Sequence, residues 1–296
     1  MAKTGLILEG GGMRGSYTAG VLDAFLSMGI QMEDIIGVSA GAANAISYVS
    51  GQYGRNLEIY NTCINRKYLS LWNFLTTGSF FGMKYVFYEV TRNIIPFDYG
   101  AFRHSRKKLT IVATNVADGK PFYRQLHDLN DEADMKYLCA TAAIPMASTI
   151  VHVDGHKLMD GGASDSVPIA YSLSRGNRKN VIVLTRNAGF RHHKSKMGWY
   201  AYVRYPAHRA FAHTVVNRYQ YYNESIRLAE WEEKNGNALI IRPTQPIIAG
   251  RMEKDPQKLS AQYQVGYQDA MAQKERLLAF LAGSENVSIT KAQTSP

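Results

Sequence analysis

The hydrophobic pattern at the start of the chain alternates between short apolar runs and stretches with helical spacing. Residues 5–9 (GLILE) and 34–38 (DIIGV) are apolar runs that predict buried strands. Residues 16–28 carry apolar side chains at helical spacing, and the small residues of 40–49 predict a second helix. Because parallel strands need crossover connections, this order predicts an α/β fold with a parallel sheet.

Further strands are expected where apolar and β-branched residues cluster. Asp154-Gly155 is a tight-turn signal between two such runs and predicts a hairpin. The expected strands are residues 109–114, 150–153, 157–159, 181–185 and 238–241.

The second half of the chain is more helical. Residues 207–235 form one long helix candidate. Another helix is expected to begin with Asp255 as N-cap and Pro256 in its first position, and to end before Gly283. Residues 284–296 are polar and aperiodic, which predicts a flexible tail.

The composition bounds the class of protein. Of the 296 residues, 46% are apolar and 20% charged, as in a folded globular protein. No apolar run approaches the roughly 20 residues that cross a bilayer, and the first residues lack the pattern of a signal peptide. Cys63 and Cys139 lie in segments with helical character, so we expect two reduced, buried thiols and a cytoplasmic location.

The formal charge of +10 is unevenly distributed. Residues 171–213 contain nine Lys or Arg and four His but no Asp or Glu, with Trp199 and several tyrosines interleaved. An anionic membrane surface and nucleic acid both fit such a stretch, and so does a solvated face without a partner.

Three loops carry candidate chemistry, and one of them is the pentapeptide Gly37-Val38-Ser39-Ala40-Gly41. It lies where a predicted strand passes into a predicted helix, as in a nucleophile elbow. Ser39 is then at the positive end of the helix dipole, which favours negative charge. A Gly/Ser turn packed for steric reasons is the alternative interpretation.

A glycine-rich loop also lies between a predicted strand and a predicted helix. Its consecutive glycines allow backbone N–H groups to converge as an oxyanion hole, and an arginine adds positive charge. The loop consists of Gly10, Gly11, Gly12, Met13, Arg14 and Gly15.

The same loop satisfies the G-x-G-x-x-G pattern of dinucleotide-binding sites, with Glu33 and Asp34 about twenty residues further on. A dinucleotide site needs its acid at the carboxyl end of the second strand. Glu33 and Asp34 precede or open that strand, and Ser39 follows its carboxyl end instead. The spacing therefore favours acyl chemistry over a dinucleotide-binding oxidoreductase.

The remaining loop is Asp160-Gly161-Gly162, which follows the predicted hairpin. A carboxylate followed by glycines can approach another side chain closely, because the backbone after it is unencumbered. An Asx turn, which is common in any protein, is the alternative.

The order and spacing of these loops resemble those of the patatin-like phospholipase family. Ala143-Ile144-Pro145 resembles the small-residue and proline segment that this family carries before its aspartate loop. The resemblance covers roughly residues 5–187, and residues 188–283 resemble the C-terminal extension of bacterial patatin-like proteins, packed on the same domain. The matching loop residues are Gly10, Gly11, Gly12, Arg14, Gly15, Gly37, Ser39, Gly41, Asp160, Gly161 and Gly162.

The resemblance implies a three-layer α/β/α domain with a mainly parallel central sheet. It implies a Ser–Asp dyad without histidine, in which Ser39 attacks an acyl carbonyl and Asp160 takes the hydroxyl proton. The glycine loop then forms the oxyanion hole, and the substrate is a phospholipid or another acyl-ester lipid. No cofactor and no nucleic acid partner are expected. Residues 186–213 become the candidate for peripheral contact with the inner face of an anionic membrane, or for covering the site.

The resemblance leaves open a catalytically silent lipid- or membrane-binding protein, although the presence of all three loops argues against it. His152 and His156 lie near Asp160 in sequence but flank a turn, so we expect neither to act in catalysis. No metal site is expected, because His192 and His193 are adjacent and no carboxylate lies in their segment.

Overall fold

A computed structural model describes residues 2–290 and shows a mixed eight-stranded sheet with helices on both faces. The strands are β1 (Lys3–Leu8), β2 (Ile30–Met32), β3 (Asp34–Val38), β4 (Lys108–Asn115), β5 (Pro121–Leu126), β6 (Val151–Val153), β7 (His156–Asp160), β8 (Asn177–Val183), β9 (Ala238–Ile241) and β10 (Val287–Ile289).

The two longest α-helices lie in the second half of the chain. The α-helices are α1 (Gly15–Ser27), α2 (Ala40–Ser50), α3 (Arg55–Thr62), α4 (Leu71–Thr77), α5 (Tyr99–His104), α6 (Glu132–Thr141), α7 (Ile169–Ser174), α8 (Tyr200–Arg204), α9 (Arg209–Lys234), α10 (Pro256–Ala272) and α11 (Lys274–Leu281). A π-helix spans Tyr85–Ile94, and single 3₁₀ turns span Gly12–Arg14 and Gly161–Ala163.

The main sheet has the order β6-β7-β4-β3-β1-β8-β9, with β5 also paired to β4. Strands β4, β3, β1, β8 and β9 are parallel to one another, whereas β5 and β7 pair antiparallel with β4, and β6 pairs antiparallel with β7. This confirms the predicted α/β class and the mainly parallel sheet. The expected hairpin is the β6–β7 pair, in which Asp154 and Gly155 both have positive φ.

The core lies on both faces of the sheet because alternate side chains of a strand point to opposite sides. Leu6 and Leu8 of β1 pack in the larger hydrophobic cluster with α1, α2, α6 and α10. Ile7, between them, packs in a second cluster with α7 and α9. Burial on both faces explains why β1 has an almost uninterrupted apolar sequence.

Residues beyond 187 contribute to the same sheet and to both helical layers. Strand β9 extends the sheet by pairing with β8. Helix α10 packs along α1, where Tyr17 donates a 3.0 Å hydrogen bond to Asp269 and Tyr263 donates one of 2.8 Å to Asp23. Burial raises the pKa of Asp23 to about 6, although Tyr263 and the amide of Gly54 stabilise its charge.

The sequence prediction was wrong in two places near the C-terminus. The helix expected after Asp255 is interrupted at Gln273, which separates α10 from α11. The predicted flexible tail contains β10, which pairs antiparallel with β2. Asn286 fixes its start by accepting from the backbone amide of Thr4 and donating to its carbonyl. A strand of three residues is too short to show the alternation of apolar and polar side chains that predicts a strand. Residues 291–296 of the predicted tail lie outside the described residues.

Cys63 and Cys139 are buried and unpaired, as predicted. Within residues 2–290, no helix combines the length and the apolar character needed to cross a bilayer.

Candidate active site

The register of the sheet places Ser39 beside Asp160. Strand β3 pairs with residues 108–112 of β4, and β7 pairs with residues 113–115. Strand β5 occupies the other edge of β4 along residues 109–114, so β3 and β7 must follow one another on the same edge. The residue after β3 and the last residue of β7 therefore meet, and Ser39 Oγ donates a 2.7 Å hydrogen bond to Asp160 Oδ2.

Ser39 adopts a backbone conformation that side chains other than glycine rarely take, with φ 53° and ψ −123°. Such strain is typical of a nucleophile elbow and must be held by the surrounding structure. The Ser39 amide donates to Thr141 Oγ1 at 2.9 Å, which fixes the turn. Gly41 lets the helix approach the first strand, because a Cβ there would lie 2.5 Å from the Leu8 carbonyl oxygen.

The Asp160 carboxylate is buried, with 2% of the residue exposed. Its Oδ1 accepts a 2.7 Å hydrogen bond from the Gly162 amide, while Oδ2 faces Ser39. Burial raises the pKa of Asp160 above its usual range, and the charge of Arg251, the Ser39 hydroxyl and the Gly162 amide oppose that shift. A desolvated carboxylate is a stronger base than one in water, and this one is held within reach of a hydroxyl.

The glycine loop faces the same point from the end of β1. Gly10 and Gly11 line a polar cavity with Ser39, and a Cβ at Gly10 would lie 3.0 Å from the Cβ of Ser39. The amides of Gly10, Gly11 and Gly12 donate no hydrogen bond to another residue within the range 2–290. Free amides beside the seryl oxygen are the donors that a developing oxyanion requires.

Ser39 lies where two cavities meet. One, of about 830 Å³ with its open mouth, has a mainly apolar lining. The other, of about 540 Å³, is lined by charged and polar groups, including Asp160. Ser39 therefore has an apolar surface on one side and a charged surface on the other. Apolar residues of the first cavity include Ile46, Ile59, Ile64, Phe81, Val86 and Phe87.

Four arginines line the polar cavity: Arg14, Arg186, Arg218 and Arg251. Burial and the neighbouring Arg186 lower the pKa of Arg14 to about 10, and burial and Arg251 do the same for Arg218. Sequence reasoning assigned Arg14 to the glycine loop, placed Arg186 in the candidate membrane-contact segment 186–213, and missed Arg218 and Arg251. Arg218 lies within a long helix and Arg251 in an irregular loop, so no local pattern marks either one.

Glu9 is a second carboxylate of the polar cavity that sequence reasoning did not assign. Its Oε2 accepts hydrogen bonds from the amide and the hydroxyl of Thr185, at 2.5 and 3.0 Å. Burial raises the pKa of Glu9, against the effects of Thr185 and the charge of Arg14. It joins the segment after β1 to the segment after β8 and lines the same cavity as the four arginines.

His192 reaches the site and lines the polar cavity. Its ring packs edge-on against Phe190 and Tyr222, at centroid distances of 5.0 and 4.5 Å. Burial and the nearby arginines lower the pKa of His192 to about 4, so the ring is neutral at pH 7. His152 and His156 lie on the β6–β7 hairpin and line a different surface pocket.

The basic stretch 171–213 does not form one surface. Arg175 pairs with Asp34 at the amino end of β3, and Arg191 pairs with Glu230 on α9. Arg186 points into the polar cavity. Arg178 and Arg209 are exposed at separate places, on β8 and at the start of α9, and a third group of exposed cations lies around α8 among exposed apolar side chains. This α8 surface comprises Lys194, Lys196, Met197, Trp199, Tyr200, Val203 and Arg204.

Asp34 is unsuited to a dinucleotide, because it lies at the end of β3 opposite to Ser39 and accepts a 2.8 Å hydrogen bond from Asn177. In the part of the chain that the structure describes, no three His, Cys, Asp or Glu side chains are grouped to hold a metal ion.

The fold and the site define an α/β protein with a buried serine–carboxylate pair at the carboxyl ends of its parallel strands. The model of the Patatin-like phospholipase family matches residues 6–173, more than half of the chain. The protein belongs to this family, which supports lipid hydrolase activity in general. Residues 208–282 match a domain of unknown function (DUF6363).

Curated relatives share part of this sequence. The uncharacterized protein YjjU of Escherichia coli is 27% identical over 197 residues, 62% of this chain and 52% of YjjU. Lysophospholipase NTE1 of Cryptococcus neoformans is 26% identical over 192 residues, 61% of this chain and 11% of that protein. The matches thus span about half of YjjU and a small part of NTE1. VipD of Legionella pneumophila aligns with a TM-score of 0.44 at 12% identity, over 93% of this chain and 67% of that one.

Proposed function

We propose that this protein is a serine hydrolase that cleaves an acyl ester of a lipid, with Ser39 as nucleophile and Asp160 as base. The observation that supports this most is the 2.7 Å hydrogen bond between their side chains, made by a serine in a strained turn. A serine that only capped helix α2 would bond to a helix amide, but Ser39 makes no such bond.

The proposed reaction has two halves. Ser39 Oγ attacks the ester carbonyl carbon while its proton passes to Asp160 Oδ2. Amides of the glycine loop donate hydrogen bonds to the oxyanion of the tetrahedral intermediate. As this collapses, Asp160 returns the proton to the leaving alcohol and an acyl-serine remains. Asp160 then takes a proton from water, whose oxygen attacks the acyl carbonyl. As the second tetrahedral intermediate collapses, Asp160 returns that proton to Ser39 Oγ and the fatty acid leaves.

A lipid substrate is supported by the surroundings of Ser39. The apolar cavity offers an acyl chain a place away from water beside the nucleophile. The relative named as a lysophospholipase shares sequence with this chain over 192 residues. Both point to a long-chain ester in preference to a small polar one.

We propose that the α8 surface contacts the headgroup region of an anionic membrane. Met197, Trp199 and Val203 are 66%, 60% and 59% exposed, an unusual concentration of apolar surface beside lysines and an arginine. Charge reversal of Lys194, Lys196 and Arg204 should abolish sedimentation with anionic vesicles. Equal binding to neutral and anionic vesicles, unaffected by that change, would remove this assignment.

A lipid panel tests the proposed activity. Wild type and Ser39→Ala are incubated with lysophospholipid, diacyl phospholipid, monoacylglycerol and triacylglycerol, and released fatty acid is identified by mass spectrometry. We expect fatty acid from at least one lipid with wild type and none above background with Ser39→Ala. Equal release by both proteins would refute the role of Ser39, and release by neither would favour a lipid-binding protein without turnover.

A further inference from the structure

The polar cavity beside Ser39 contains more positive charge than its own residues neutralise. Arg14, Arg186, Arg218 and Arg251 form an arginine cluster, in which each Nε atom is buried without a hydrogen-bond partner. Within the described residues none of their guanidinium groups forms an ion pair or a hydrogen bond. Arg14 is only 8% exposed. The other three are half-buried, and Arg186 lies over the ring of Phe190. Desolvated cations without an anionic partner are costly, so an anion is expected to complete this site.

The carboxylates of the cavity do not balance the arginine cluster. Four arginines face two acids, Glu9 and Asp160, which leaves a charge of +2 when both acids are ionised. Burial raises the pKa of both acids, and protonation of either one would increase the excess. Each acid is also already engaged, Glu9 with Thr185 and Asp160 with Ser39 and Gly162.

The C-terminal extension (residues 188–283) supplies half of the arginine cluster. Arg218 comes from α9 and Arg251 from the loop before α10. That loop rests on the glycine loop: the Met13 amide donates a 3.1 Å hydrogen bond to the Arg251 carbonyl. A Cβ at Gly12, whose φ is +58°, would lie 2.6 Å from the same carbonyl oxygen. The backbone of the C-terminal extension is therefore in direct contact with the backbone of the glycine loop.

We propose that the arginine cluster binds the phosphate of the lipid headgroup and makes the enzyme selective for phosphomonoester lipids, such as phosphatidate and lysophosphatidate. This rests on the proposed function, because it places the phosphate in the polar cavity and the scissile ester at Ser39. A phosphomonoester carries a charge of roughly −1.5 to −2 at pH 7, which matches the excess of the cavity. Arginine forks also fit phosphate oxygens in pairs.

Other headgroups fit the same surroundings less well. A choline or ethanolamine headgroup brings its own cation towards four arginines, and a neutral glyceride leaves all of them unpaired. In this proposal, the segment that matches a domain of unknown function, residues 208–282, completes an anion site on the hydrolase core.

Binding to the Ser39→Ala variant tests the proposal without turnover. Calorimetry compares a short-chain phosphatidate, used below its micellar concentration, with the diacylglycerol of the same chains and with inorganic phosphate. We expect phosphatidate to bind and its affinity to fall roughly 10- to 100-fold when Arg218→Gln or Arg251→Gln is added, the loss typical of a charged hydrogen-bonding group. Arg227→Gln is the matched control, because Arg227 lies exposed on the opposite face of α9 and should change nothing.

Each outcome decides the proposal. Equal binding of phosphatidate and diacylglycerol, or phosphatidate binding unaffected by Arg218→Gln and Arg251→Gln, would overturn it. Inorganic phosphate that binds as tightly as phosphatidate would show a site for free phosphate and overturn the assignment to a lipid headgroup. Phosphatidate binding that depends on both arginines would support it even if wild type released no fatty acid, and that second result would refute only the proposed hydrolase activity.

Discussion

Ser39 Oγ and Asp160 Oδ2 lie 2.7 Å apart although 121 positions separate the two residues in the chain. Strand β4 brings them together, because β3 and β7 pair with successive parts of one of its edges. The contact is therefore set by sheet register and does not depend on a flexible loop. Neither His152 nor His156 lies in the cavities that Ser39 lines, and His192 does line one of them. The Asp160 carboxylate nevertheless accepts the hydrogen bond of the Ser39 hydroxyl directly.

Replacement of either member of this pair should remove most activity. We expect Ser39→Ala and Asp160→Asn each to lower kcat/KM on a lipid ester by roughly a thousandfold or more. The kcat/KM of the double variant should be no lower than that of the less active single variant. Non-additive loss is expected because the two groups act in one proton transfer. Multiplicative losses in the double variant would show that they act independently.

The fall of kcat/KM at acid pH should reflect protonation of the Asp160 carboxylate. Since its pKa is raised by burial, kcat/KM should fall as the pH falls through a midpoint above the ordinary value of 3.8. His192 is not the source of a limb near pH 6.5, because its pKa is lowered to about 4. Rates on a soluble ester are measured across pH, with circular dichroism as a control for unfolding. Full activity maintained at and below pH 3.8 would contradict the assignment.

The same carboxylate should make the pH dependence of folding stability opposite in direction to that of activity. Because burial raises the pKa of Asp160 above 3.8, its carboxyl binds a proton more tightly in the folded than in the unfolded protein. The free energy of unfolding should therefore fall as pH rises from 3.8 through the raised pKa. Asp160→Asn removes this ionisation and should flatten that part of the curve of unfolding free energy against pH. Urea titrations of wild type and variant at several pH values measure it. Parallel curves for the two proteins would show that Asp160 is not destabilised by burial.

The close approach of α2 to β1 should make Gly41→Ala destabilising. The added Cβ would lie 2.5 Å from the Leu8 carbonyl oxygen, and overpacking of this kind costs about 1–3 kcal/mol. Gly100→Ala is the control, since Gly100 lies exposed in α5 with no atom closer than 3.4 Å to its Cβ position. It should leave stability unchanged or raise it by about 0.5 kcal/mol. Equal urea midpoints for both variants would disprove the packing argument.

The histidines of the hairpin should be dispensable for catalysis. His152 is exposed and the ring of His156 packs against Phe122 at a centroid distance of 4.7 Å. We expect His152→Ala and His156→Ala to keep most esterase activity. A loss comparable with that of Ser39→Ala, in a protein that remains folded, would replace the dyad by a triad.

Much of the fold was predictable from sequence because it follows local rules. The periods of β1, α1, β3 and α2 differ clearly, and glycines mark the turns between them. Ser39 and Asp160 could be proposed for the same reason, since each lies in a short loop with distinctive composition. The geometry between them depends on the register of β4, which no local pattern specifies.

The rest of the site depends on long-range packing. Arg218 belongs to the cavity because helix α9 packs against the sheet with that side inward, and its sequence resembles that of other helix positions. Arg251 belongs there because an irregular loop meets the glycine loop. The basic stretch 171–213 was overinterpreted as one surface, since strand β8 carries its parts to opposite ends of the sheet.

Reaction with a fluorophosphonate probe shows whether Ser39 is an activated nucleophile, because only an activated serine attacks phosphorus at an appreciable rate. We expect one probe per chain, attached at Ser39 as located by peptide mass spectrometry, and little or no labelling of Asp160→Asn under the same conditions. Labelling at another residue, no labelling of wild type, or undiminished labelling of Asp160→Asn would contradict the assignment of Ser39 and Asp160.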